Sequence, residues 1–467
     1  MRRLLVLSVV GLTRRQLGPD TPHLSALAKD GFAAPIDPVL PALTCSSQAT
    51  YLTGALPREH GVVGNGWYYR DRAEVSLWKQ NRGLVQAPMV WDVARERDAA
   101  FTCAQLFWWF NMFAQVEWSV TPRPAYLADG RKVPDVYADP PELRRRLVDR
   151  LGQFPLFQFW GPGAGIASTR WIADAALDVL AHERPRLTFV YLPHLDYDHQ
   201  RFGPPSAGDP RSAEALRAVD AEAGRLVQAA RQEGVEVLAL SEYGIEAVST
   251  PVHLNRVLRT AGYLRAWMNL EGSGEAWELL EPGACRAFAV ADHQVAHVYV
   301  RDAADVAAVK ALLERTPGVE RVLDEAGKRE AGLDHPRAGE LVAVAAPGHW
   351  FTYYYWLDDA LAPDFARTVE IHKKPGYDPC ELFLDPARPL VKGRVAWTLL
   401  KKVLGLRYVM DVIPLDATLV RGSHGRAPAS PEDGAVLLSS SRDGQRDSFP
   451  ATSLRDLVLA RLFDPSA

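Results

Sequence analysis

Cysteine is scarce: Cys45, Cys103, Cys285 and Cys380 are the only four in 467 residues, and no two stand in a CxxC spacing. That excludes a disulfide framework and a cysteine-held structural zinc, and it points to a reducing compartment, so the cytoplasm is the expected location. Long apolar runs are missing too. No segment reaches the roughly eighteen uncharged apolar residues of a membrane span. The apolar start, MRRLLVLSVVGL, is short, is followed at once by Thr13-Arg14-Arg15 and lacks a small-residue cleavage site, so it reads as a first buried strand. Neither sign of charge dominates: 53 Lys and Arg against 57 Asp and Glu give a net charge of -4. Without a polybasic stripe, a nucleic-acid polymer is not an expected partner. No internal repeat or low-complexity tract is visible.

What is present is an alternation of apolar strands and amphipathic helices. LLVLSVVG, TPHLSALAKDG, WIADAALDVLAHE, LTFVYLP, SAEALRAVDAEAGRLVQAARQEG and VEVLALS follow one another along the first half of the chain. Continuous apolar strands separated by helices of 3.6-residue period predict an α/β fold, a mostly parallel sheet sandwiched by helices. Two regions break the rhythm. Residues 106–170, rich in Trp, Phe and Pro, read as a capping insertion with irregular backbone, and residues 263–395 read as a smaller α+β lobe. The expected core is therefore 1–262, including the aromatic insertion, plus 396–467. The polar stretch 422–450 reads as surface loop. At this length one main domain with large insertions, or two domains, is the default.

In open parallel sheets, ligands gather at the carboxyl ends of strands. Three polar stretches fall there. Thr44, in LPALTCSSQATYLTG, precedes a helix-compatible segment, where its hydroxyl is either a simple N-cap or lies beside backbone N–H groups able to hold a phosphate. In YLPHLDYDHQRFGP, an extended chain would point His194, Asp196 and Asp198 to one side, either as a cation site or as a solvated acidic loop. In LALSEYGI, Glu242 either binds metal or caps the next segment.

The order of these landmarks, with LPALTCSSQATYLTGALPREHGVVGN, YLPHLDYDHQRFGP, LSEYGI and a late GSHG, resembles the alkaline phosphatase superfamily and, within it, the type I phosphodiesterase/nucleotide pyrophosphatase family. The resemblance implies an alkaline phosphatase-like fold and a threonine nucleophile at Thr44 that forms a covalent phospho-enzyme. It also implies divalent metal, zinc by family with Mn or Mg as alternatives, and a small phosphorylated substrate. Asp196, Glu242 and His424 fall at ligand positions, and Ser47 and Asn65 at positions facing substrate. Three usual ligand positions carry Val10, Gln200 and Tyr243 instead, which are poor zinc ligands. His194, Asp198, His199, His372 and Asp378 are candidate replacements. The expected function is a metal-dependent hydrolase of phosphodiester or pyrophosphate bonds. The alternatives are a non-catalytic phosphate-ligand-binding protein on the same fold, or a phosphoryl transferase or mutase.

Overall fold

The structure, a computed structural model, describes residues 2–128, 132–269, 276–406 and 408–464, with Lys402 and Val403 described in backbone only. Its centre is a nine-stranded sheet in the spatial order Phe449–Pro450, Phe32–Asp37, Val436–Ser439, Glu236–Leu240, Leu4–Val9, Leu187–Leu192, Cys103–Leu106, Trp118–Pro122 and Val136–Asp139. The five strands from Glu236–Leu240 to Trp118–Pro122 are parallel. Antiparallel pairing enters towards both edges, through Val436–Ser439 and Val136–Asp139.

The first strand, LLVLSV, is buried along its whole length and sits between Leu187–Leu192 and Glu236–Leu240, so its apolar run matches a position covered on both faces. The long helix Pro210–Gln232 starts where Asp209 accepts the N–H of Arg211 and Pro210 occupies the first turn. It turns Leu216, Val219, Ala223 and Leu226 inward at helical spacing, and it packs with Ile166–His182 and Pro22–Asp30 in one layer. Asp220 of this helix accepts the N–H groups of His23 and Leu24, at 3.0 and 2.8 Å, which satisfies free donors at the start of Pro22–Asp30. Leu454–Phe463, Val90–Arg97 and Thr44–Thr53 form a second helical group.

A separate four-stranded antiparallel sheet, in the order Ala287–Asp292, Val295–Val300, Leu341–Ala345 and Val319–Leu323, carries helix Ala303–Glu314 and has its own hydrophobic core. One sequence expectation changes here and another gains detail. The aromatic segment, expected within the core as a capping insertion, adds Trp118–Pro122 and Val136–Asp139 to the main sheet, and Phe107, Trp108 and Phe110 are buried in the main core. Its backbone is irregular as expected, with φ near +65° at Phe107 and +60° at Phe110. The stretch 422–450 contains Val436–Ser439, a fully buried sheet strand that its short apolar run and polar flanks disguise.

Candidate active site

Thr44 opens helix Thr44–Thr53, whose ten residues are all buried and which ends at Gly54 in the left-handed region. The N-cap is Leu43, so Thr44 is the first helical residue and its hydroxyl does not cap the helix. That frees the side chain for the sheet edge. Thr44 Oγ1 lies 3.0 Å from the Tyr243 hydroxyl, and Tyr243 donates onward to Asp196 Oδ1 at 3.3 Å. The helix is pinned to the same strand end by Gln48, which donates to Glu242 at 2.8 Å, and by Tyr51, which donates to the Ser241 carbonyl at 3.0 Å. Gly244 follows because the backbone there passes against the Asp433 carbonyl, where a Cβ would sit 1.9 Å from the oxygen.

Asp196 lies on helix His194–Phe202, not on an extended loop. The short helix puts His194 and Asp198 on one face, with Asp198 bonded to Arg201 at 2.8 Å, and turns Asp196 towards Tyr243. Burial pushes the Asp196 carboxyl up to about 7, with Glu242 nearby adding to the rise and the neighbouring Gln200 amide and the Tyr243 hydrogen bond opposing it. Burial likewise pushes Glu242 up to about 7; its Oε1 accepts from Ser8 at 2.6 Å as well as from Gln48, and its Oε2 has no partner.

Beside these groups stands a column of four stacked rings. Tyr243 lies 3.5 Å from His424, His424 3.8 Å from His293, and His293 3.6 Å from Tyr377, centroid to centroid. Burial holds both imidazoles well below the usual histidine range, so they are neutral. His293 sits at φ +59° in the two-residue turn between Ala287–Asp292 and Val295–Val300, and its Nδ1 pairs with Asp292 at 2.8 Å. Tyr377 donates to the Gln200 side chain at 2.7 Å. The sequence reading assigned no role to His293 or Tyr377, because nothing in DHQVAHVYV or KPGYDP shows that the smaller sheet's turn and a distant loop reach this site.

The remaining candidates lie elsewhere or are occupied. Ser47 donates to the Glu242 carbonyl at 3.3 Å. Asn65 accepts from the Cys45 N–H at 3.0 Å and donates to Asp292 at 3.0 Å, so its amide braces the start of the Thr44 helix. His199 is buried with neither ring nitrogen bonded, and burial lowers its pKa to about 4. Asp378 pairs with Lys374 at 2.7 Å in a fully buried charge cluster with Glu381, not on a solvated face. His372 is exposed. Tyr243 and Glu242 border a cavity of about 480 Å³ that Arg15, Gln294 and Arg426 also line.

The type I phosphodiesterase / nucleotide pyrophosphatase sequence model matches residues 4–378, which spans the Thr44 helix, Asp196 and Tyr243. The chain belongs to that family. It is accordingly a phosphodiesterase/nucleotide pyrophosphatase-like hydrolase, on an alkaline phosphatase-like fold. No curated protein sequence matches it. Among solved structures it is similar to an inactive variant of murine ectonucleotide pyrophosphatase/phosphodiesterase 5 in complex with AMP, at 15% identity and TM-score 0.58 over 100% of this chain and 96% of that one. It is also similar to phosphonoacetate hydrolase from Sinorhizobium meliloti 1021 in complex with phosphonoformate, at 13% identity and TM-score 0.61 over 99% and 96%. Human ectonucleotide pyrophosphatase/phosphodiesterase 5 follows at 14% identity and TM-score 0.58 over 99% and 95%.

The two-metal site that resemblance to this family implies does not fit the residues present. Among the described residues no three or more His, Cys, Asp or Glu side chains come together as a metal site. Asp196 Oδ1 and the unpartnered His424 Nε2 remain close, at 3.7 Å, but the Tyr243 ring lies flat on His424 and its hydroxyl bonds both Thr44 and Asp196. Glu242 is held by Ser8 and Gln48, and Val10 offers no donor.

Proposed function

We propose that the chain hydrolyses a small phosphodiester, pyrophosphate or phosphonate, with Thr44 as nucleophile and Tyr243 and Asp196 as the route by which the threonine proton leaves. The observation that carries this reading is the hydrogen-bonded order Thr44 Oγ1, Tyr243 hydroxyl, Asp196 Oδ1. Tyr243 gives its proton to Asp196 while its oxygen accepts that of Thr44. As Thr44 Oγ1 bonds to phosphorus, the bond from phosphorus to the leaving group breaks, and the proton on Asp196 is available to that leaving group. Water then attacks phosphorus and gives a proton to Asp196, the bond from phosphorus to Thr44 Oγ1 breaks, and the threonine oxygen takes the Tyr243 proton while Asp196 returns its own to Tyr243. A carboxyl held at about 7 is a base matched to neutral pH. Tyr243, raised well above its ordinary value by burial, stays a neutral carrier.

A small phosphorylated ligand as substrate is supported by the structural neighbours, one in complex with AMP and another with phosphonoformate. Thr44→Ala should lower turnover of bis-p-nitrophenyl phosphate by about 10³-fold or more while leaving the circular dichroism spectrum unchanged. Acid-quenched wild-type protein should carry the adduct on the peptide containing Thr44. Equal rates for wild type and variant would remove Thr44 from this role. A second reading, a non-catalytic holder of a phosphate-bearing ligand, is favoured by one observation: Val10, Gln200 and Tyr243 stand where donors are usual. It requires that calorimetry detect AMP binding with no turnover of any ester tried. A transferase would instead pass the phosphoryl group to an added alcohol.

A further inference from the structure

Exposed large hydrophobic side chains are concentrated in one place. Of the thirteen among the described residues, seven lie between Leu390 and Val409, around helix Val391–Val403. The helix is apolar on two sides. Val391, Val395 and Thr398, at i, i+4 and i+7, face the second hydrophobic core. Trp397, Leu400 and Leu404, at i, i+3 and i+7, form an outward stripe with exposures of 56%, 46% and 62%, and Leu399 beside them is 47% exposed. Nothing in the described residues covers that stripe.

The charge around it has one sign. From Pro386 to Met410 the sequence holds Arg388, Lys392, Arg394, Lys401, Lys402 and Arg407 and no Asp or Glu. Asp411 holds Arg388 and Arg394, at 3.0 and 2.5 Å. Lys392 and Lys401 have no acidic partner among the described residues, and Lys401 Nζ lies 5.7 Å over the Trp397 ring. A short helix presenting Trp and Leu outward between lysines has the composition of a segment that lies in the boundary between lipid headgroups and acyl chains. No helix among the described residues is long and apolar enough to cross a membrane. We propose that helix Val391–Val403 docks the protein on the surface of an anionic phospholipid bilayer, with Trp397, Leu400 and Leu404 entering the interface and Lys392 and Lys401 meeting the headgroups.

Flotation of the full-length protein with vesicles tests this. At about 0.1 M salt, vesicles containing phosphatidylserine should carry the protein, pure phosphatidylcholine vesicles should carry less, and salt near 1 M should weaken the difference. Trp397→Ser/Leu400→Ser/Leu404→Ser should lower partitioning about tenfold or more, and Lys392→Glu/Lys401→Glu by a similar factor on anionic vesicles alone. Because Trp397, Leu400, Leu404 and Lys392 are exposed and the half-buried Lys401 has no acidic partner among the described residues, melting temperature should hold in both variants. Wild-type protein that stays unbound with phosphatidylserine vesicles, or variants that float equally well, would overturn the proposal. So would a concentration-dependent dimer that the triple variant abolishes in a protein that ignores lipid, because the stripe would then be an interface between copies.

Discussion

Replacing Tyr243 by phenylalanine removes one oxygen and leaves the ring on His424, so it separates the hydroxyl's role from that of the stack. In the folded protein that oxygen is bonded to Thr44 and to Asp196, both buried or nearly so. Leaving two such groups short of a partner costs about 1–3 kcal/mol of stability. The Tyr243 hydrogen bond is also one of the influences that lower the Asp196 pKa, so its loss raises that pKa further above about 7. If Asp196 is the final proton acceptor, two kinetic changes follow. The rate should fall by about 10²–10⁴-fold, the range for losing a positioned proton-transfer group, and the rising limb of the pH–rate profile should move to higher pH. Urea titration gives the first quantity, with an unchanged m-value showing that the fold persists. Initial rates of ester cleavage from pH 5 to 9 give the others. A variant that keeps the wild-type rate and profile would refute the proton route, and a faster one would mean that the hydroxyl restrains Thr44.

Two further substitutions test the electrostatics. Glu242 is raised from 4.5 to about 7, so its contribution to stability is complete below pH 4.5 and declines as pH rises to 7. Glu242→Gln keeps the acceptor for Ser8 and Gln48 and cannot ionise. Relative to wild type it should therefore gain about 3 kcal/mol between pH 4.5 and pH 8 in urea titrations; a relative loss at high pH would mean that a cation stabilises the ionised carboxylate. Lys374→Met leaves Asp378 and Glu381 buried without their cation, and should cost about 3–5 kcal/mol at pH 7 in the same measurement, with no change expected in vesicle flotation.

The parts of the molecule that were legible in the sequence are those set by local pattern. Fully apolar strands such as LLVLSV could only be central, and the spacing of Leu216, Val219, Ala223 and Leu226 could only be a helix with one buried face. What escaped depends on distant segments meeting. HLDYDHQRF is helical because a turn of helix lets Asp198 pair with Arg201 three residues on, and a two-residue alternation does not anticipate that. His293 belongs to another sheet, and only the tertiary packing of its turn puts it between His424 and Tyr377. Lys374 was not readable as a buried cation because its partners, Asp378 and Glu381, form a cluster only once the loop closes around them. The charged face of helix Val391–Val403 was similarly hidden by an apolar content too short for a membrane span.

The departures at the ligand positions share a direction that bears on the chemistry. Val10, Gln200 and Tyr243 are all uncharged, and the imidazoles of His293 and His424 are held neutral by burial. The carboxyls at hand, Asp196, Glu242 and Asp292, are pushed up to about 7, 7 and 6, so they too approach neutrality near physiological pH. A site built for two divalent ions binds them through ionised carboxylates and neutral imidazoles, and its carboxylates repel a phosphate unless the ions are there. Here Val10, Gln200 and Tyr243 leave fewer ionisable donors, so what remains around Thr44 is a cleft of low negative charge. Such a cleft repels an anionic ester less than bare carboxylates would, yet offers little to offset charge that develops on the phosphoryl oxygens. If the chain is the hydrolase proposed above, such a cleft suits a singly charged diester better than a doubly charged monoester, because the cost of taking an ion out of water rises steeply with its charge.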